Sequence, residues 1–73
     1  MTKEAAIAKA KELFPYHSIV QLEDIDDVMI FGIIAPDPEM TPSKAVLAVN
    51  KNNDKIGIST FDLEAAINKA KGA

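Results

Sequence analysis

The stretch Val28-Met29-Ile30-Phe31-Gly32-Ile33-Ile34-Ala35 decides the fold. It is apolar throughout, with no polar residue at every second position, so it reads as a strand covered on both faces and not as one with a wet face. Eight residues are short for a helix, and Gly32 would weaken one.

Working outward, residues 16–22 are rich in aromatic and β-branched side chains and favour a second strand. The run Glu23-Asp24-Ile25-Asp26-Asp27 between the two is a turn. On the other side, residues 36–43 carry three prolines and can be neither a helix interior nor a central strand, so they form the one substantial loop. Residues 44–50 and 55–60 are two more strand candidates. Lys51-Asn52-Asn53-Asp54 between them suits a tight hairpin turn, since Asn and Asp tolerate left-handed backbone angles.

Helical patterns close both ends. Residues 3–14 place Ala6, Ile7, Ala10, Leu13 and Phe14 on one stripe, with Thr2 as N-cap and Pro15 as the stop. The last helix is expected to start at Ser59 or Thr60, where Ser59 and Asp62 have capping-box spacing. Leu63, Ala66, Ile67 and Ala70 form its stripe, Lys69 and Lys71 favour its C-terminal end, and Gly72 terminates it. Short connections make neighbouring strands pair antiparallel. The expected fold is therefore a single α+β domain over residues 1–73, in the order α-β-β-β-β-α. Its four-stranded antiparallel meander sheet carries the N-terminal and C-terminal helices packed on one face. That leaves the far side of residues 28–35 to be covered by long neighbouring side chains or by another subunit.

Composition narrows the function. Seventy-three residues suffice for one core, and only just. With no cysteine there is no disulfide, thiolate zinc site or thiol nucleophile. The net charge is −3 and all eight cations are Lys, which argues against nucleic acid, because Arg is the preferred reader of phosphate and guanine. Neither a signal-peptide pattern nor about 20 successive apolar residues is present, so a cytoplasmic location away from the membrane is expected.

Sites for chemistry are sparse. His17 is the lone histidine, and Ser18, its nearest hydroxyl, would point to the opposite face of a strand, so no triad is indicated. Glu23, Asp24, Asp26 and Asp27 are hard oxygen ligands of the kind calcium or magnesium takes, but a solvated turn uses the same residues. Asn50, Asn52 and Asp54 match the first three ligand positions of an EF-hand, after which Lys55 replaces the glycine and Phe61 the terminal Glu. Gly32, Gly57 and Gly72 build no phosphate loop. Neither an enzyme nor a cofactor is expected.

What remains is surface. Residues 23–39 hold six acids and no cation, which would steer a basic partner at long range; plain solvated surface is the competing reading. The proline loop, with Met40 at its centre, is stiff and loses little entropy on docking. The candidate partner-binding residues are Asp24, Asp26, Asp27, Asp37, Glu39 and Met40, and the expected function is a small non-enzymatic protein-binding or regulatory module. The alternative is a structural or self-assembling accessory protein that forms a homodimer through its sheet, using the apolar second strand.

The element order, the alanine-rich first helix and the stretch Ala48-Val49-Asn50-Lys51-Asn52-Asn53-Asp54-Lys55-Ile56-Gly57 resemble small domains of the PepSY and immunity-protein-35 type, over residues 3–58. Asn53-Asp54 stands where those families commonly have Thr-Gly, and the helix after residue 60 lies outside their pattern. The resemblance implies an inhibitory or regulatory domain, and its immunity-like version fits a chain with no export signal. It carries over no functional residue.

Overall fold

The computed structural model describes residues 1–60 and 62–72. Its elements are α1 (Lys3–Leu13), β1 (Ser18–Gln21), β2 (Val28–Ile34), β3 (Lys44–Asn50), β4 (Ile56–Ser59) and α2 (Leu63–Lys71). The strands form one antiparallel sheet in the order β1-β2-β3-β4, which is the expected α+β meander.

The termini of α1 follow from local chemistry. The Thr2 hydroxyl accepts from Ala5 N at 3.1 Å, and Phe14 N donates to the Ala10 carbonyl at 2.8 Å just before Pro15 ends the helix. α2 starts later than expected. Asp62, not Ser59 or Thr60, is its N-cap, accepting from Ala65 N at 2.6 Å. Ser59 is still in β4, and its hydroxyl accepts from Asp62 N at 3.3 Å, so the capping-box residues meet without Ser59 being the cap. Gly72 closes α2 with φ of 84°, where a side chain would be strained.

The core explains why residues 28–35 lack alternation. Of the seven largest fully buried side chains, Val28, Met29, Ile30, Phe31 and Ile33 come from β2 and Leu47 and Val49 from β3. Successive residues of a strand point to opposite faces. Met29, Phe31 and Ile33, with Ala45, Leu47 and Val49 opposite them on β3, therefore share one face and pack with Ala6 and Ala10 of α1. Val28, Ile30 and Ala48 share the other and pack with Ala66 and Ala70 of α2. The helices thus lie on opposite faces of the sheet, which corrects the expectation of two helices on one face. The reason is the two-sided apolar character of β2 itself: each face needs its own cover, and the chain supplies both.

Close approach is built in by small residues. Ala6/Ala10 and Ala66/Ala70 are fully buried pairs one turn apart. Gly57 of β4 lies directly beneath α2. A Cβ there would run into the Ala66 carbonyl and sit 2.7 Å from Ala70 N and from Lys69 Cβ. Gly57→Ala is therefore expected to lift α2 off the sheet and cost about 1–3 kcal/mol, as overpacking does. At Gly32 a Cβ would make only ordinary contacts, 3.8 Å from Val20 Cβ at the nearest, so Gly32→Ala should leave stability unchanged or slightly raised. Urea midpoints of the two variants test this; equal midpoints would contradict the packing described.

Candidate functional site

The acidic turn and the proline loop sit at opposite ends of β2. Its seven residues at about 3.3 Å each put them roughly 20 Å apart, so they do not form the one surface expected of them.

At the acidic end, Ile25 and Val28 exchange backbone hydrogen bonds of 2.9 and 3.0 Å around Asp26, whose φ is 54°. Asp24 is held from two sides, by Lys3 Nζ at 2.7 Å on one oxygen and Lys51 Nζ at 2.8 Å on the other. It therefore ties α1, the β1–β2 turn and the β3–β4 turn together. Hydrogen bonds from Lys3 first and Lys51 second hold its carboxyl below its ordinary value of 3.8, against a smaller opposing effect of burial. Asp26 has Lys71 Nζ 3.5 Å away, and the Asp27 carbonyl accepts from Lys51 N at 2.8 Å. Lysines distant in sequence thus answer much of the charge that sequence alone left open.

The Asn50-Asn52-Asp54 pattern is equally structural. Asn50 is buried; its amide donates to the Ala70 carbonyl at 3.2 Å and its oxygen accepts from Asn52 N at 2.8 Å. Asn53 accepts from Lys55 N at 2.9 Å, and Asp54, at φ of 61°, accepts an ion pair from the chain's amino group at 2.6 Å. Among the described residues no three acidic or histidine side chains converge as metal ligands would.

His17 joins β1 to the proline loop. Its Nε2 lies 2.8 Å from the Pro42 carbonyl, which can only accept, so Nε2 is the donor. Nδ1 is enclosed and finds no partner among the described residues, while Phe14 meets the ring edge-on at 5.3 Å. Ser18 lies outside this contact.

A surface that sequence alone did not single out lies beside α2. That helix lies chiefly over β4 and β3 and reaches β2 only at its Val28–Ile30 end. On the same face Val20, Leu22 and Ile34 are 42%, 45% and 45% exposed, flanking Gly32 and half-buried Val46. Gly32, Ile34, Lys44, Val46 and Thr60 line a shallow groove of about 290 Å³. A second groove, about 530 Å³, runs along the proline loop past Glu39, Met40 and Pro42 and shares Lys44 and Thr60 with the first. Met40 is half-buried there, while the exposed Asp37 accepts from Glu39 N at 2.9 Å. The available signal was the absence of charge from residues 16–22, unusual in an edge strand.

Comparison with known protein families, with curated proteins and with solved structures found no match. Among the described residues no helix is long and apolar enough to cross a membrane.

Asp24 yields a test of the acidic end. Its folded-state value is lowered, so the stability it contributes is present in full above its ordinary value and is lost as pH falls through the lowered one. Asp24→Asn should destabilise the domain at pH 7 by about 1 kcal/mol, as a well-placed surface pair does. The gap between variant and wild type should close in strong acid. Urea denaturation at a series of pH values measures this; a gap independent of pH would show that the ion pair is not its source.

Proposed function

We propose that this chain is a non-enzymatic protein-binding or regulatory module of the cytoplasm, and that it binds through the apolar half-face and the β1 edge. The observation that carries this reading is the exposure of Val20, Leu22 and Ile34 around Gly32, beside an edge strand. Apolar side chains left uncovered side by side mark interaction surfaces. A glycine within a strand often marks the approach of a ligand or another backbone. The proline loop adjoins this surface through Lys44 and Thr60, so Glu39 and Met40 belong to its rim. The inhibitory role implied by the resemblance over residues 3–58 fits the same surface.

The acidic turn is the weaker candidate, because Lys3, Lys51 and Lys71 answer Asp24 and Asp26 internally. Self-assembly is the second reading, favoured by the same edge strand. Of the large side chains of β2, those from Val28 to Ile33 are buried within the chain and Ile34 is the one exposed to such a contact.

Immobilised wild type and single variants separate the two ends of the molecule. Val20→Lys should lose a protein that wild type retains from a lysate, and Asp27→Lys should keep it. Retention by Val20→Lys with loss by Asp27→Lys would move the contact to the acidic turn.

A further inference from the structure

Resting on the module reading above, we infer that the occupant of the β1 edge is a second copy of this chain, paired antiparallel β1 to β1 about a twofold axis at Val20. Leu22 N donates to the Ile30 carbonyl at 3.0 Å, so the alternation of an antiparallel ladder turns the backbone groups of Leu22, Val20 and Ser18 towards β2. Those of Ile19 and Gln21 then point away from the sheet, and no further strand lies beyond β1 among the described residues. The opposite edge is treated differently. There the Ile58 carbonyl accepts from Lys69 Nζ at 2.9 Å, and α2 lies over β4. Charge and cover are the usual guards of an edge. β1 has neither a charge nor a proline.

The twofold register follows from these groups. An axis at Val20 sets Ile19 opposite Gln21 of the other copy and Gln21 opposite its Ile19, so every outward-facing backbone group of β1 finds a partner. Shifting the axis to Ile19 or Gln21 would push one of these pairs beyond the strand. The same register is self-complementary in charge. Residues 16–22 bear no carboxylate or ammonium, and Glu23 comes opposite His17 and not opposite another acid. Val20 meets Val20 across the axis with Leu22 on either side, joining the exposed apolar side chains of both copies into one stripe.

The chain has no cysteine, so one substitution gives an unambiguous probe. A Val20–Val20 pair would be of the closely spaced, non-hydrogen-bonded kind, with Cα atoms about 4.5 Å apart and within disulfide reach. Wild type should elute at twice the chain mass in light-scattering chromatography. Val20→Cys should oxidise to a covalent dimer, whereas Glu64→Cys on the outer face of α2 should not. Val20→Lys should elute at the monomer mass with an unchanged circular dichroism spectrum, and Gln21→Pro, which removes an outward N–H, gives the same readout should the lysine variant unfold. A wild type that stays monomeric over a dilution series overturns the inference, as does a dimer in which Val20→Cys fails to cross-link. If that monomer still retains another protein in a manner sensitive to Val20→Lys, the module reading survives without the second copy; if it retains none, both fall.

Discussion

One constraint governs this structure: β2 is apolar on both faces and must be sealed on both. A strand of this kind cannot sit in a two-layer sandwich of sheet and helices, because its outer residues would face water. Each such side chain is worth about 1.5–3 kcal/mol when buried, a large share of the margin available to a domain of this size. The chain meets the demand with its two ends, α1 over Met29, Phe31 and Ile33, and α2 over Val28 and Ile30. The alanine pairs on both helices and Gly57 beneath α2 are the local adjustments that bring the helices close enough.

The open half-face is a consequence of the same solution. A helix is about 10 Å across, and strands lie about 4.8 Å apart, so a single helix covers roughly two strands. On the α1 side, Met1, Ile7, Phe14, Ile19, Ile56 and Ile58 pack around the edge of the core and extend the cover. On the α2 side, Val46 and Ile67 do so near β3, and among the described residues nothing comparable covers Val20 of β1 or Leu22 just beyond it. The exposed patch is therefore set by width: one nine-residue helix cannot shield four strands.

Much of the fold is legible in the sequence. Element order, the antiparallel meander, the Thr2 cap, the stop at Pro15 and the αL residue Gly72 all rest on local chemistry, which residue identity specifies directly. The placement of the helices was also legible in principle, since the unbroken apolar run of residues 28–35 already required cover on two sides. Assigning both helices to one face left the other side of that run without its cover, and the pattern prevailed. The start of α2 was misplaced because Ser59, Thr60 and Asp62 are all good caps, and the extension of β4 to Ser59 decides among them. The fate of the acids was not legible at all. That Lys3 and Lys51 close on Asp24 depends on contacts 21 and 27 positions apart, which only the folded chain brings about.

That same clamp bears on what the surface can do. The acidic turn looked like a beacon because its charges were counted along the chain, where no cation intervenes. In three dimensions its Asp24 carboxylate is a fastener for three segments, held by Lys3 and Lys51. The uncharged stretch beside it, residues 16–22, looked featureless for the opposite reason, since one edge strand resembles another in sequence. Once the sheet is assembled, a stretch without charge at an open edge is the less ordinary of the two. The other edge of the same sheet shows the usual precaution, a lysine laid across a carbonyl. Long-range charge and an open hydrogen-bonding edge are different means of attracting a partner, and here lysines answer Asp24 and Asp26 of the acidic turn while the edge of β1 has no strand beside it among the described residues.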